Sequence, residues 1–380
     1  MKKNLFRENG ITLVALVITI IVLLILAGIS IQSITNTGLF ANAKQAKEKS
    51  MEGQLKEEIT LAIQSIQAEE VYKGNSVTLE TLAGGQLEKE LKDITAELAD
   101  GEINGEYKDY EYTIDSNFNV TINGSVITYS WDEIAEIAKA ISNDTSITDD
   151  SETATVTVNG VQKTLNVGDK ATLDGKKVRI LGFNHDELVE LTTAYGSTTK
   201  TGKAGISFEY IDFLTSIGMN SSNTNLGGWK EAPLRGTLNG TTYNSLSIKS
   251  NIKKVKKDYI PTYNVAATEQ TEDYLWLLSC GEIWDNGYGD DESSKINGTR
   301  GYAITTEGKQ YKYYKMKLGS TKYNSSNNIT KKPSVSNSNW WWLRSPDYHG
   351  SSGFCYVQSS GYCIYNYARY YVGVTPGFSI

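Results

Sequence analysis

NWWWLRSP, residues 339–346, and GVTPGFSI, residues 373–380, bracket the last β region of this 380-residue chain. Trp341, Trp342, Leu343, Val374 and Phe378 are the expected framework of that region, since aromatic and β-branched residues suit a covered pleated surface. Upstream, residues 319–339 read as a Ser/Asn/Lys-rich loop. DYLWLLSCGEIW, residues 273–284, begins as a buried strand with Leu275, Leu277 and Leu278 as core candidates and Cys280 buried beside them. GGWKEAPLRGTLNG, residues 227–240, reads as a short helix closed at Asn239-Gly240. Further back, residues 154–183 give short alternating strands joined by Asn159-Gly160 and Asp174-Gly175 hairpin signals.

Between the two brackets lies DYHGSSGFCYVQSSGYCIYNYARYYV, residues 347–372. It holds seven tyrosines and no Lys, Glu, Met or Trp, and Gln358 is its one Gln. Those five residue types make up roughly a fifth of the chain, so about five are expected in a segment this long. Codons ending in a pyrimidine cannot encode them, but do encode Tyr, Ser, Asn, Cys, Ile, Asp, His, Arg and Phe. Tyrosine supplies large amphipathic contact area at low entropic cost, and Ser, Gly and Asn supply adaptable hydrogen bonds. The segment therefore reads as a ligand-binding face. Its contact candidates are Tyr348, His349, Ser351, Ser352, Tyr356, Ser359, Ser360, Tyr362, Ile364, Tyr365, Asn366, Tyr367, Arg369, Tyr370 and Tyr371. The plain alternative is a structural hairpin with cross-strand Tyr pairs.

Composition narrows the rest. The formal net charge is −7, which argues against a nucleic-acid protein held by a basic surface. The 24 Tyr, 34 Gly and only 5 Pro fit a β-rich chain or a binding surface. His185 and His349 are the two histidines, and Cys280, Cys355 and Cys363 the three cysteines. So few scattered ligands do not promise a zinc cage, and no metal or cofactor is expected. His185 reads as a turn residue. Asp290, Asp291 and Glu292 read as a solvated acidic loop, and Lys253, Lys254, Lys256 and Lys257 as a solvated basic face.

The N-terminus carries a separate signal. Lys2, Lys3 and Arg7 precede an uncharged run from Asn9 to Ala43, within which residues 11–31 are almost wholly apolar. About twenty such residues span a bilayer core, and the basic flank keeps the N-terminus cytoplasmic. This predicts a single-pass membrane protein with its C-terminal part outside the cell. Leu55, Ile59, Ala62, Ile63 and Ile66 then recur at helical spacing. Residues 78–98 also read as helical. Tyr110, Tyr112 and Ile114 alternate as a strand, with turn chemistry at Asp115-Ser116-Asn117 and Asn123-Gly124. Ser130 and Glu133 form a capping box ahead of WDEIAEIAKAIS. SNDTSITDDSET, residues 142–153, reads as a polar linker.

Two resemblances rest on these residues. KKNLFRENGITLVALVITIIVLLILAGI resembles the N-terminus of type IV prepilins and pseudopilins. That resemblance implies cleavage by a prepilin peptidase between Gly10 and Ile11, methylation of the new terminus and a pilin-like assembly. Ala15 stands where that family usually has the Glu that pairs with a neighbouring N-terminal amine. The downstream pieces, Leu165–Asp169, Gly227–Asn239, Asp273–Ser279, Trp341–Pro346 and Gly373–Ile380, resemble a bacterial C-type-lectin-like module described only as a domain of unknown function. Its tyrosine-rich tail is similar to the variable region of proteins diversified by retroelements.

The expected organisation is thus a leader at 1–10, a transmembrane segment at 11–32, a pilin-like helix and α+β head at 33–142, a linker at 143–153 and a C-type-lectin-like α+β domain at 154–380, with its variable-looking region at 347–372. The expected function is recognition of a protein or glycan at the cell surface. The alternative is a structural minor pilin or pseudopilin. Enzyme activity is not expected: formylglycine-generating enzymes share the broad fold and use a cysteine pair, but their catalytic context is not recognisable here. Cys355 and Cys363 read as diversification products or as a local disulfide.

Overall fold

A computed structural model describes residues 39–99, 101–108, 110–123, 126–190, 199–263, 265, 267–284, 307–319, 340–347, 350–358, 361 and 363–380, with side chains from residue 50 onward. The first unit is built on α1 (Leu39–Tyr72). Leu55, Ile59, Ala62, Ile63 and Ile66 are buried along one stripe of it, as a helix of 3.6 residues per turn requires. They pack against a kinked helical segment running from Leu79 to Glu90 and against a four-stranded antiparallel meander. Its strands are β1 (Glu97–Ala99), β2 (Glu102–Tyr107), β3 (Tyr110–Ile114) and β4 (Val120–Asn123). Tyr110, Tyr112 and Ile114 point inward together, and Tyr112 donates to the Thr95 carbonyl at 2.7 Å.

The chain then enters α2 (Trp131–Ser142). The Ser130 capping box is formed: Glu133 N donates to Ser130 Oγ at 3.3 Å, and Ser130 N donates to Glu133 Oε2 at 2.9 Å. Ile134, Ile137, Ala138 and Ile141 are fully buried, and they belong to the core of the second unit. Gly205 makes the approach possible, because a Cβ there would stand 1.9 Å from the Ala138 carbonyl oxygen.

The second unit starts with the hairpin β5 (Thr153–Val158) and β6 (Val161–Asn166). β7 (Lys170–Leu173), β8 (Lys176–Phe183), β9 (Ile206–Tyr210) and the C-terminal β17 (Gly377–Ser379) make one sheet in the order β17-β9-β8-β7. β10 (Thr215–Ile217), β13 (Trp341–Pro346), β14 (Gly353–Val357), β15 (Cys363–Tyr367) and β16 (Val372–Val374) make another in the order β10-β16-β13-β14-β15. A ribbon of β11 (Val255–Tyr259) and β12 (Glu269–Asp273), with α3 (Cys280–Ile283) and α4 (Lys312–Leu318), completes the unit. Trp341, Trp342, Leu343, Val374 and Phe378 are all fully buried.

Several expectations change. The expected fold class joined a long membrane helix to two α+β units. The described chain is mixed α+β and mostly sheet, and among the described residues no helix is long and apolar enough to cross a membrane. This corrects the membrane-anchored, single-pass, extracellular reading and the pilin-type description that went with it. The run assigned to the span, residues 11–32, and the Gly10–Ile11 bond lie outside the described residues. Residues 143–153 are not an open linker. Ile147 is buried, and Asn184 Nδ2 donates to the carbonyls of Ile141 and Ile147 at 3.0 and 2.8 Å, tying the segment to β8. The helix at 227–240 does not close at Asn239-Gly240; helical turns continue to Ser245. Residues 275–279 are buried but irregular, because one bridge, Trp276 to Gly377, is their ladder contact.

Candidate functional site

Residues that recur in the C-terminal sequence pattern turn inward and form two polar hubs. Asp273 is fully buried and accepts four side-chain hydrogen bonds. Trp229 Nε1 and Thr271 Oγ1 donate to Oδ2 at 2.9 and 2.7 Å, and Arg235 Nε and Asn239 Nδ2 donate to Oδ1 at 2.7 and 3.2 Å. The GGW, LR and LN pieces of residues 227–240 thus converge on the Asp that opens the DYLWLLS segment. Arg344 is the second hub. Its guanidinium donates to the carbonyls of Asp258, Leu277 and Glu307 and pairs with Glu282 at 2.5 Å. Buried polar groups persist only when satisfied in this way. These residues hold elements together; Asp273 and Arg344 are fully buried, while Arg235 and Asn239 are half-buried.

Beside the Arg344 hub lies a polar cleft of about 190 Å³ lined by Asp149, His185, Asp186, Lys257, Glu282 and Lys309, among others. Lys257 Nζ sits between Asp186 Oδ1 at 2.8 Å and Glu282 Oε1 at 2.5 Å. Asp186 also accepts from Ser207, Ser379 and Tyr311. Burial works to raise the Asp186 carboxyl, but Lys257 and His185 overcome it and hold the group well below the usual range. Lys257 therefore leaves the expected basic face and is a buried counter-ion. His185 is half-buried and stacks on Tyr311 with ring centroids 4.0 Å apart, and burial lowers its pKa. Asp186 already carries a full set of donors, so this pair is built for packing more than for moving a proton.

The tyrosine-rich segment behaves differently. On edge strand β15, Tyr365 and Tyr367 share one parity and are 40% and 49% exposed; the turn that follows exposes Tyr370 at 47% and Tyr371 at 77%. Arg369 is exposed between them. Ser351 is exposed and Ser352 half-exposed in the β13–β14 turn, and Ile364 and Asn366 are half-buried. Leu226, 71% exposed, adjoins that turn, because Asn225 N donates to the Ser351 carbonyl at 2.8 Å. Tyr356 departs from the expectation. It faces Trp342 across the β13–β14 ladder, lies against Trp340 and Trp342, and is buried. Tyr348, His349, Ser359, Ser360 and Tyr362 lie outside the described residues, as do Asp290, Asp291 and Glu292.

The face rests on a rigid base. Asn225, buried, donates from Nδ2 to the carbonyls of Gly350 and Gly353 at 2.9 Å each, and its Oδ1 accepts from Thr262 Oγ1 at 2.9 Å. Gly353 is required where it stands, since a Cβ would meet the Asn366 carbonyl oxygen at 2.2 Å. Sequence reasoning missed Asn225. Its one signal was a polar residue two positions before a Gly-Gly-Trp core motif.

The cysteines also depart from expectation. Cys280, Cys355 and Cys363 are all buried free thiols, and Cys280 Sγ lies 3.9 Å from Cys363 Sγ. They are packed together, and no bond joins Cys355 to Cys363. Burial opposes ionisation of Cys280, but the neighbouring thiols, Ser345 and the Arg344 charge pull its pKa well down. Cys355 and Cys363 are pushed up, the first by bonding to Cys280, the second by burial.

Residues 202–380 match a protein family described as a domain of unknown function (DUF6273). The matched segment takes in β9 to β17, and so both polar hubs and the tyrosine face. No curated protein and no solved structure matches the chain.

Proposed function

We propose that the C-terminal unit is a binding module that recognises a protein or glycan through the face formed by Tyr365, Tyr367, Arg369, Tyr370 and Tyr371. One contrast carries this reading. The pattern residues Trp229, Arg235, Asn239, Asp273 and Arg344 are engaged in internal hydrogen bonds, while Tyr365, Tyr367, Tyr370 and Tyr371 of the compositionally biased tail are exposed at the edge of the sheet. A framework that satisfies its own polar groups tolerates change on its surface at little cost in stability. Tyr and Arg are also the residues that most often dominate binding energy. The residue bias of 347–372 and the resemblance to variable C-type-lectin-like modules support the same reading, with sequence change concentrated on this face.

The test is to screen the full chain against an oligosaccharide array and a panel of purified proteins, beside the Tyr365→Ala/Tyr367→Ala variant. The expected result is a ligand held by the parent chain and lost by the variant. A ligand retained at equal affinity by the variant would sink the proposal.

A further inference from the structure

The chain has three cysteines, and the fold brings all three to one point. Their Sγ atoms lie within 4.8 Å of one another, although Cys280 is 75 or more residues from the other two. Different elements deliver them. Cys355 lies opposite Tyr365 in the β14–β15 ladder, and Cys363 is two residues from Tyr365, so both thiols leave the same face of the hairpin. Cys280 opens α3, where Ser279 caps the helix and Cys280 N donates to Ser345 Oγ at 2.9 Å. The cluster is therefore fixed from three directions, by the hairpin, by the start of α3 and by the end of β13.

The spacing excludes a disulfide and admits a shared ion. Bonded sulfurs stand about 2.0 Å apart. Sulfurs sharing one ion at about 2.3 Å each stand about 3.8–4.0 Å apart, from simple tetrahedral or trigonal geometry. Cys280 and Cys363 are at 3.9 Å, a distance that suits a shared ion and also a thiol–thiol hydrogen bond, and all three sulfurs lie within 4.8 Å of one another. Three thiols converging in a dry interior are also more than apolar filling needs, since one buried Cys fills space as a small hydrophobe.

We propose that Cys280, Cys355 and Cys363 form a three-thiolate site for a soft metal ion, with Cu(I) as its occupant. Sulfur ligands select soft ions over hard ones. A closed structural zinc site takes four ligands, and among the described residues the ligand cluster has three. Cu(I), a d10 ion, is satisfied by three sulfurs. Each sulfur that binds releases its proton to solvent, and no change of oxidation state is involved. The site is independent of the tyrosine face and stands or falls without it.

The experiment uses the full chain, reduced under anaerobic conditions, with Cu(I) supplied as its acetonitrile complex in competition with bicinchoninate. Loading is done on the native protein and by refolding with the ion, because the sulfurs are buried. The expected result is one Cu(I) retained per chain, a near-ultraviolet thiolate-to-copper band, and three sulfurs at about 2.3 Å by X-ray absorption. Cys280→Ala, Cys355→Ala and Cys363→Ala are made singly and checked for an unchanged far-ultraviolet spectrum. Loss of an outer partner already costs about 10–100-fold in metal affinity, so loss of a ligand costs no less. The idea is overturned if three titratable thiols are present and neither route retains Cu(I), or if the single variants that keep their fold hold it as tightly as the parent. It is also overturned if only Zn(II) is retained under the same competition, or if the cluster closes to a disulfide that excludes Cu(I) even after reduction.

Discussion

Tyr367 and Tyr370 lie with ring centroids 5.8 Å apart and planes tilted by 31°, each about half exposed, on opposite sides of a turn closed by Tyr370 N donating to the Tyr367 carbonyl at 3.0 Å. The pair forms a small aromatic shelf beside Tyr365. Exposed side chains contribute little to the folded state, so Tyr365→Ala/Tyr367→Ala is expected to change stability by less than about 1 kcal/mol. Thermal melting checks this. A loss of several kcal/mol would show that these rings are core and would remove them as contact residues.

Trp341→Ala should do the reverse. Trp341 is fully buried in β13, which pairs antiparallel with β14 and parallel with β16. Removing a buried tryptophan costs about 3–5 kcal/mol, a large part of a domain's stability. Urea melts should show the loss, and the tyrosine face should lose ligand only together with the fold. A stable Trp341→Ala chain would mean that β13 is not the centre of the sheet.

Much of the scaffold was legible in the residues. The Leu55 to Ile66 stripe, the Tyr110-Tyr112-Ile114 alternation, the Ser130 cap and the NWWWLRSP strand follow from periodicity and local hydrogen bonding, which a sequence displays directly. What a stripe cannot show is which core it joins. The apolar face of α2 is obvious, yet besides the nearby β5 it packs on Gly205, met more than sixty residues later. Lys257 looked like one of four solvated lysines, because only the fold sets Asp186 and Glu282 around it. The tyrosine tail was legible as a composition and not as a set of faces. Tyr356 and Tyr365 belong to one biased segment and lie on opposite faces of the β14–β15 ladder, yet Tyr365 shares its face with the buried Cys355 and Cys363, so its exposure follows from its place on the edge strand and not from parity alone. Cys280 was read apart from Cys355 and Cys363 because convergence is a property of topology.

Glu307 supplies a pH signature. Burial pushes its carboxyl from the ordinary 4.5 up to about 8, against the pull of Arg344, Ser345 and the Ile260 amide. Its Oε1 accepts from Ile260 N at 2.9 Å, and its Oε2 has no partner among the described residues. The folded state thus holds a proton that the unfolded chain releases. The stability this contributes is complete below about pH 4.5 and is lost as pH rises toward about 8. Glu307→Gln should flatten that part of the stability profile. Urea midpoints measured across this range would check it; parallel profiles for the two chains would mean that Glu307 is ionised when folded.

The last prediction concerns where the second unit begins. Sequence composition put the boundary at residues 143–153. The geometry puts it ahead of α2. Ile127 N donates to the Lys170 carbonyl at 2.7 Å, the Trp131 ring packs edge-on to Phe208 at 5.5 Å, and Ile134, Ile137 and Ile141 are buried against the sheet. A fragment of residues 126–380 keeps all of these contacts, and a fragment of residues 154–380 exposes the surface they cover. Each fully buried Ile is worth about 1.5–3 kcal/mol, so the loss of α2 exceeds what one domain can spare. The longer fragment should be soluble and melt cooperatively, while the shorter should aggregate or melt far lower. Limited proteolysis of the full chain should spare the peptide bonds from 143 to 153, because Asn184 and Ile147 hold that segment down. Rapid cutting there, with a stable 154–380 product, would show that α2 belongs with the first unit.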